Sequence, residues 1–203
     1  MIRRTSLNYI EKILSKNSNW NVLEIGCGYS ANKRSNVICD ILDLSKFYPN
    51  KKFIKLEDKN LPFADKEFDF VIASHVLEHV AELDFLIKEI ERVSSKGYIE
   101  LPTKLEDNLV FENKKEHLWH MDFDDDNQVL LISKKKQYFE PIITVSTAKK
   151  INEIFRKSLV IELYWEEKID YLINKSIDQE INKISLLKLF KKFFSKKLRS
   201  IFK

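Results

Sequence analysis

The chain has 203 residues, of which 44% are hydrophobic and 33% are charged, and its formal net charge is +4. This length predicts one domain with a sizeable core, and no apolar run approaches the ~20 residues of a membrane-spanning helix. The two cysteines, Cys27 and Cys39, form no C-x-x-C pair, which argues against a disulfide framework and suits the reducing cytoplasm. No apolar stretch follows Arg3 and Arg4, so no secretory signal is expected.

The first predicted elements lead to a glycine turn. Residues 6–16 have the apolar spacing of an amphipathic helix, with Ser6 as its cap. Residues 20–25 predict a buried strand that stops at Gly26 and Gly28, and the chain has only three glycines in total. Glycine is needed where the backbone takes a positive φ or where a ligand approaches the main chain closely. The turn is therefore a candidate ligand site, and the alternative is an ordinary turn without a ligand.

Two ligand classes compete for this turn. Gly26-x-Gly28-x-x-Ala31 fits the dinucleotide fingerprint, which requires a helix directly after the turn. The second predicted strand covers residues 36–40, and its apolar part begins at Val37. Only residues 29–36 lie between Gly28 and that apolar part, so a helix there would have scarcely two turns. A pyrophosphate prefers that helix N-terminus, whereas S-adenosylmethionine carries a sulfonium cation that suits the acid Glu24. The turn favours a methyl donor over NAD.

The following elements extend an α/β pattern. Residues 52–56 predict a third strand, residues 68–73 a central buried strand, and residues 97–101 a fifth strand. Residues 81–94 predict a strongly amphipathic helix, and Gly97 is expected to end it. Ser74 and His75 follow the central strand at its carboxyl end, where open α/β sheets place their chemistry.

Five motifs occur in order along this part of the chain: Glu24-x-Gly26-x-Gly28, Asp40 ending the second strand, Asp58-x-x-Leu61-Pro62-Phe63, Phe68-Asp69-x-Val71, and His75-Val76-Leu77-Glu78-His79-Val80. Together they resemble the class I S-adenosylmethionine-dependent methyltransferases, specifically the small bacterial type related to the ubiquinone/menaquinone-biosynthesis methyltransferases. The resemblance covers residues 22–102. It implies a Rossmann-like methyltransferase sheet, here with a shortened first crossover.

The resemblance also implies how the cofactor, S-adenosyl-L-methionine, is held. Asp40 is expected to accept hydrogen bonds from the two ribose hydroxyls, with Asp43 as the alternative. Asp58 would receive the exocyclic amine of adenine, with the backbone of Lys59 at the ring nitrogen; the alternative for Asp58 is a solvated loop acid. The other predicted cofactor contacts are Glu24, Gly26, Cys27, Gly28 and Ser74.

Residues 103–116 are polar and form a candidate lid or substrate loop. His117, Trp119 and His120 follow, and this cluster could stack a sugar ring and deprotonate a hydroxyl. The alternative is a core tryptophan flanked by surface histidines. The candidate catalytic bases are His75, His117 and Asp122.

No metal site is predicted. His75 and His79 share a helix face at a spacing of four, but the pair lacks the glutamate of an H-E-x-x-H motif and shows no third ligand. The acidic run at residues 124–127 lacks the glycine and distal glutamate of a calcium loop, and is predicted to be a hairpin turn.

The end of the chain differs in composition from the rest. Residues 147–157 predict a helix with Ile151, Ile154 and Phe155 inward, and residues 159–165 a further strand. The predicted domain is residues 1–175, and residues 176–203 form a basic amphipathic tail. Residues 181–203 contain eight Lys or Arg and no acid, so the remainder carries a formal charge of −4.

Within the tail, apolar residues from Ile184 to Phe202 fall on one side of a helix at ~100° per residue. This pattern is typical of an interfacial helix, residues 184–203, that lies on anionic lipid. The alternative is that the apolar face docks on the domain or on a partner subunit. Nucleic acid is not expected as a partner, because the basic residues gather in the tail.

The predicted function is methyl transfer from S-adenosylmethionine to a hydroxyl of a sugar or of another small or lipid-linked acceptor. Compact proteins of this type are often linked to bacterial surface-glycan synthesis, which favours a saccharide by analogy. The predicted location is the cytoplasm, with the tail at the inner face of the membrane. The alternative is a non-catalytic S-adenosylmethionine-binding protein recruited to the membrane surface.

Overall fold

A central sheet of seven strands organises the computed structural model, which describes residues 1–174 and 185–201. The strand order is β1-β9-β6-β5-β2-β3-β4. The five strands from β6 to β4 are parallel, whereas β9 runs antiparallel to β6, and β1 antiparallel to β9. The strands are β1 Ile2–Arg4, β2 Val22–Ile25, β3 Val37–Asp40, β4 Lys52–Lys55, β5 Phe70–Ser74, β6 Lys96–Pro102 and β9 Val160–Glu166. The mixed α/β architecture matches the predicted Rossmann-like methyltransferase sheet.

Six α-helices accompany this sheet within residues 1–174 and 185–201. They are α1 Leu7–Lys16, α2 Leu83–Val93, α3 Lys104–Leu109, α4 Asn113–Glu116, α5 Val145–Leu159 and α6 Leu186–Ile201. Ser6 caps α1 as predicted, because its hydroxyl accepts a hydrogen bond from the Tyr9 N–H. Ile10 and Leu14 of α1 pack with Phe70 on one face, whereas Ile87 and its neighbours in α2 pack on the other. Alternate residues of each central strand therefore enter opposite cores.

The crossover between β2 and β3 contains no helix in residues 26–36, which confirms the shortened connection. Side chains hold this segment in place of helical hydrogen bonds. The Glu24 carboxylate accepts from the Asn32 N–H and the Ser35 hydroxyl, both at 2.7 Å. Lys51 Nζ donates to the carbonyl oxygens of Asn32 at 3.0 Å and Ser35 at 2.6 Å. The glycine turn is thus anchored by polar contacts to its own crossover.

A second sheet has three strands, in the spatial order β10-β8-β7. Its strands are β7 Trp119–Asp124, β8 Val129–Lys134 and β10 Tyr171–Asn174. The Asp124 carboxylate accepts from the N–H groups of Asp126 and Asn127, both at 3.0 Å, which closes the turn between β7 and β8. The predicted hairpin turn at residues 124–127 is confirmed.

Two details of the predicted elements are wrong. Gly97 does not end α2, whose C-cap is Ser94; it lies inside β6, where a Cβ would sit 2.4 Å from the Val71 carbonyl oxygen. Ile154 and Phe155 do not face inward from α5, since they are 80% and 57% exposed. The buried face of α5 carries Ala148 and Leu159 instead, and Phe155 departs from helical geometry at φ −109° and ψ 25°.

The edge strand β1 and the second sheet extend the architecture beyond the predicted elements. The Met1 carbonyl oxygen accepts from the Glu166 N–H at 2.8 Å, so the start of the chain is held along β9. The predicted boundary between domain and tail, at residues 175 and 176, lies outside the described residues. None of the helices within residues 1–174 and 185–201 has both the length and the apolar character that crossing a bilayer requires.

Candidate active site

A cavity of about 620 Å³ opens at the carboxyl ends of β2, β5 and β6. One side, here the glycine side, is formed by Glu24, Gly26, Cys27, Gly28 and Ser74. A second part of the lining, here the histidine side, includes His75, His79, Glu100, Glu106, His117 and Arg156. Five of the predicted cofactor residues and two of the three candidate bases therefore line one cavity, at the sheet edge where α/β folds bind ligands.

The two glycines of the turn have different reasons to be glycine. Both adopt a positive φ, +65° at Gly26 and +49° at Gly28. A Cβ at Gly26 would lie 2.5 Å from Val76 Cγ2, so this glycine allows the turn to pack against the loop after β5. A Cβ at Gly28 would meet no atom within 4 Å, so the backbone there is open to a ligand.

Asp40 fixes the shape of this turn. Its Oδ2 accepts from the Gly28 N–H at 2.9 Å, and its Oδ1 accepts from the Leu42 N–H at 3.0 Å. Asp40 is buried at the end of β3 and does not belong to the cavity lining. Each carboxylate oxygen has a second lone pair, so contact with a ribose remains a prediction for Asp40.

Two titratable residues of the glycine side, Glu24 and Cys27, have pKa values that burial raises. Glu24 lines the cavity, but its Oε2 is taken by Asn32 and Ser35, and burial raises its pKa. Burial, with the nearby charges of Asp40 and Glu24, also raises the pKa of the Cys27 thiol to about 12. Cys27 is therefore a neutral wall of the cavity and not a nucleophile.

Asp58 and Lys59 lie outside the cavity lining, in the exposed loop after β4. The ammonium of Lys59 forms an ion pair with Glu82. Their contacts to the adenine remain predictions, since they depend on where the base of the cofactor rests.

His75 is not suited to be a general base, which corrects one candidate. Its Nδ1 lies 3.2 Å from Glu78 Oε1, and its Nε2 lies 3.3 Å from Glu100 Oε1. Burial lowers the pKa of His75, but the hydrogen bonds with Glu100 and Glu78 outweigh that effect and raise it to about 10. A ring with both nitrogens donating to carboxylates has no lone pair for a substrate proton. His75 also has a φ of +53°, an unusual conformation for a residue other than glycine.

Glu100 belongs to a charge network behind His75. It lies directly opposite Glu162 in the antiparallel pair β6–β9. Tyr98 donates its hydroxyl to both glutamates, at 2.5 Å and 3.0 Å, and Arg156 forms ion pairs with both. Burial raises the pKa of Glu100, but His75, Tyr98 and Arg156 together lower it to about 2. Glu100 is thus ionised and compensated by its neighbours.

Asp107 of α3 holds the second histidine group. Its carboxylate accepts from Nδ1 of His117 and, at 2.9 Å, from Nδ1 of His120. All three residues are buried, and only His117 reaches the cavity. Because Asp107 fixes Nδ1 of His117 as the donor, the lone pair of His117 lies on Nε2. The role of His117 as a base stays a prediction, with which this position and these contacts agree.

Asp122 does not fit the role of base. It lies in β7 with a half-exposed side chain, and its Oδ2 pairs with Lys104 Nζ at 3.1 Å. Its Oδ1 accepts from the Phe123 N–H at 2.9 Å. The cavity lining does not include it. Along β7, Met121 and Phe123 are buried on one face of the strand, whereas Asp122 between them is exposed.

Comparison with known proteins agrees with this geometry. Residues 23–99 match a family model described as a methyltransferase domain. Residues 23–99 are therefore similar to a methyltransferase domain, as the sequence motifs predict. The matched region includes β2 to β6 and all of the glycine side, whereas the ubiquinone-related subtype is not confirmed and stays a prediction. A comparison with curated proteins gives no significant match.

Solved structures of similar fold include several methyltransferases. YcgJ from Bacillus subtilis is 18% identical, with 46% of this chain and 51% of that chain covered and a TM-score of 0.37. The trans-methyltransferase CalH, in complex with SAH, is 19% identical over 47% of this chain and 35% of that chain, with a TM-score of 0.39. A SAM-dependent methyltransferase from Aquifex aeolicus is 14% identical over 76% of this chain and 87% of that chain, with a TM-score of 0.41. The methyltransferase domain thus spans about half of YcgJ.

The similarity to a methyltransferase domain implies S-adenosyl-L-methionine as the cofactor, and the glycine side fits it. The open backbone at Gly28 lets a ligand approach the main chain, and the neighbouring acid Glu24 lies in the same wall. When bound, this cofactor supplies an electrophilic methyl group on a positively charged sulfur. The chain supplies the positions of the groups around it.

The cavity and its supporting contacts also include residues that were not predicted as site residues. They are His79, Glu100, Glu106, Asp107 and Arg156. A signal existed for Glu100, which is a lone charge within the apolar run of β6. No comparable signal existed for Asp107, because it stands among other polar residues in a segment without a clear period.

Proposed function

We propose that this protein transfers the methyl group of S-adenosylmethionine to a hydroxyl of a sugar or of another small or lipid-linked acceptor. One observation carries the proposal: a single cavity has the open glycine turn on one side and His117, oriented by Asp107, on the other. This arrangement brings an electrophile and a proton-accepting nitrogen into the same space. Methyl transfer to oxygen needs both.

The residues have separate roles in this reaction. When bound, S-adenosylmethionine would supply an electrophilic methyl group to the acceptor oxygen, and its sulfur would be the leaving group. The glycine side holds the cofactor in position, and Nε2 of His117 activates the acceptor hydroxyl. Asp107 acts as a positioning residue, because it fixes the ring and tautomer of His117 without reaching the cavity.

Unpaired polar atoms on the histidine side support a hydroxylated acceptor. Glu106 Oε1 accepts from Asn152 Nδ2 at 3.1 Å. Glu106 Oε2 and Asn152 Oδ1 are buried, and neither has a hydrogen-bond partner within the described residues. Both side chains line the cavity. Two buried acceptors that lack donors match a ligand with several hydroxyl groups, because each hydroxyl can donate one hydrogen bond.

The proposal is tested with the purified full-length chain. Mass spectrometry under native conditions should detect bound S-adenosylmethionine or its demethylated product. A labelled-methyl screen against nucleotide sugars and lipid-linked glycans should then show label in a hydroxylated acceptor. Cofactor binding without transfer to any hydroxyl would favour the alternative, a non-catalytic protein that binds S-adenosylmethionine.

We also propose that the tail attaches the protein to an anionic membrane surface at the inner face of the membrane. Residues Leu186–Ile201 form helix α6. Four apolar side chains at helical spacing, Leu187, Phe190, Phe194 and Leu198, are 56–70% exposed. Lys188, Lys192 and Lys196 occupy the opposite face of the helical wheel. An exposed apolar face bordered by lysines supports interfacial binding, and a surface location would favour a lipid-linked acceptor.

Sedimentation with liposomes tests the tail. The full-length chain should pellet with vesicles that contain anionic lipid, and ~1 M salt should weaken this because it screens the lysines. Truncation after Asn182 should abolish pelleting and leave cofactor binding intact. Pelleting that survives truncation, or a full-length chain that stays in solution, would contradict membrane attachment and favour docking on the domain or on a second subunit.

A further inference from the structure

Three side chains at the edge of the cavity have the composition of a metal site. Glu78, His79 and His117 each offer one ligand atom, and these atoms all lie within 4.8 Å of one another. His79 and His117 line the cavity, and their rings meet edge to face with centroids 4.5 Å apart. His79 is exposed, so the group can be reached from solvent.

Hydrogen bonds between two segments hold this group together. The Leu118 N–H donates to the Glu78 carbonyl oxygen at 2.7 Å, and Trp119 Nε1 donates to the Val80 carbonyl oxygen at 2.8 Å. These contacts fix the segment after α4 against the loop after β5. The approach of His117 to Glu78 and His79 is therefore part of the folded structure and does not depend on a ligand.

Each of the three side chains keeps a free electron pair. Nδ1 of His117 donates to Asp107, and Nδ1 of His79 lies 3.1 Å from the Glu116 carbonyl oxygen, so Nε2 is available on both rings. Glu78 Oε1 accepts from His75. Glu78 Oε2 is buried and has no hydrogen-bond partner within residues 1–174 and 185–201. A fully buried carboxylate oxygen without a donor is costly and calls for a partner, such as an ion.

The outer contacts match those of metal ligands in other proteins. Histidine ligands usually donate their second nitrogen to a carboxylate or to a backbone carbonyl, which sets the tautomer and the ring orientation. His117 uses a carboxylate for this purpose and His79 uses a carbonyl. The third ligand, Glu78, has an outer contact as well, because its carboxylate meets Nδ1 of His75.

We propose that Glu78, His79 and His117 bind one divalent transition-metal cation, such as Zn²⁺. Two imidazoles and one carboxylate suit Zn²⁺ and its first-row neighbours, whereas Mg²⁺ and Ca²⁺ prefer oxygen ligands. Bonds of about 2.1 Å hold ligand atoms roughly 3.4 Å apart in a tetrahedral site. The ligand atoms, which lie within 4.8 Å of one another, would therefore move together by up to ~1.4 Å on binding.

This site deepens the proposed function and rests on it for its chemical role. An acceptor hydroxyl bound to the cation loses its proton to solvent near neutral pH, since such a cation lowers the pKa of a bound oxygen. The resulting alkoxide oxygen forms the bond to the methyl carbon, the carbon–sulfur bond breaks, and neutral S-adenosylhomocysteine leaves. In this form of the reaction His117 activates the hydroxyl through the cation. The prediction of no metal weighed His75 with His79 and the acidic run at residues 124–127, and it did not consider Glu78 with the distant His117.

The test measures metal binding directly. Full-length chain is stripped with EDTA, dialysed, and titrated with Zn²⁺ in competition with a chromophoric chelator, and Co²⁺ serves as a visible-absorption probe. One cation per chain should bind, with imidazole coordination in the Co²⁺ spectrum, and Mg²⁺ should not compete. His79→Ala should weaken Zn²⁺ binding by ~100-fold or more, and because this residue is exposed, circular dichroism should show an unchanged fold. Glu78→Gln should have a similar effect.

Glu116→Gln is the matched control, because Glu116 lines the same cavity but its side chain is not part of the group. Zn²⁺ binding should persist in this variant. Absence of Zn²⁺ binding by the wild-type chain, or equal binding by His79→Ala, would overturn the metal site. If S-adenosylhomocysteine still binds in that case, the methyltransferase proposal stands alone. A chain that binds Zn²⁺ through this group but transfers no methyl keeps the metal site and loses the proposed reaction.

Discussion

The two sides of the cavity are built in different ways. The glycine side comes largely from one continuous turn, residues 24–28, and presents mainly backbone, with its key contact between Gly28 and Asp40. The histidine side gathers side chains from the ends of β5 and β6, from α3 to α5 and from the loop before β7, and most of its charges are paired in advance. The first can recognise a cofactor shared by many proteins. In the proposed reaction the second determines the chemistry, because it presents the imidazole of His117 and unpaired acceptors to a substrate.

The sharpest division between the two sides is expected for His117→Ala. Loss of the activating nitrogen should lower turnover on the identified acceptor by ~10²–10⁴-fold. Affinity for S-adenosylhomocysteine should stay within a factor of about two, because His117 belongs to the histidine side. Steady-state kinetics and calorimetry on the same preparation check both expectations.

Asp122→Asn is the control for this variant. Asp122 is also a predicted candidate base, but it lies outside the cavity lining. Its replacement should leave turnover nearly unchanged. A large loss of turnover in Asp122→Asn with near-full activity in His117→Ala would mean that the acceptor occupies a different surface.

The glycine side is tested by a pair of substitutions. Gly26→Ala and Gly28→Ala both force a residue with a Cβ into the left-handed region, at about 1–2 kcal/mol each. Gly26→Ala also overlaps Val76, which adds about 1–3 kcal/mol. Chemical denaturation should therefore show a larger loss in the free energy of unfolding for Gly26→Ala.

Cofactor affinity should rank the same two variants in the opposite order, with the larger loss in Gly28→Ala. Gly28→Ala places a methyl group where the backbone is open to the cavity, so it should weaken S-adenosylhomocysteine binding more than it weakens the fold. Equal stability of both variants, with unchanged affinity in Gly28→Ala, would show that the turn does not meet the cofactor.

The charge network behind the histidine side gives a pH dependence. The pKa of Glu100 is lowered from 4.5 to about 2, so its ionised form stabilises the folded state in full above pH ~4.5. This contribution, on the order of 2–3 kcal/mol, is lost as the pH falls from 4.5 towards 2. Urea unfolding at a series of pH values should show a shallower acid decline for Glu100→Gln than for wild type.

Glu57→Gln is the matched control for the acid decline, since Glu57 is an exposed glutamate at the end of β4 with a side chain 76% exposed. It should retain the wild-type pH dependence. An acid decline that is identical in Glu100→Gln and wild type would mean that the Glu100 network does not stabilise the fold.

The contrast between the two sides also explains what could be predicted from sequence. The signals of the glycine side are local, since a strand, two glycines and the acid Asp40 follow one another within a short stretch. Alternation and helical spacing likewise located most strands and the buried face of α2. Such signals depend on neighbouring residues, so they can be read without knowledge of the tertiary fold.

The histidine side depends on contacts between distant segments. Glu100 meets Glu162 only because β9 pairs with β6 in one register, and His117 meets Glu78 only because Leu118 bonds to the Glu78 backbone. The failure at Ile154 and Phe155 has the same origin, because the helical period identifies an apolar face but not whether anything covers it. No periodicity encodes these pairings.

The most direct test of the account is calorimetric titration of the full-length chain with S-adenosylhomocysteine and, separately, with NAD. S-adenosylhomocysteine should bind with a dissociation constant well below 1 mM, which corresponds to more than about 4.1 kcal/mol. Asp58→Ala should weaken this binding by ~1–3 kcal/mol if Asp58 receives the adenine amine. NAD should give no heat of binding. A chain that binds NAD and does not bind S-adenosylhomocysteine would contradict the assignment of the glycine turn to a methyl donor.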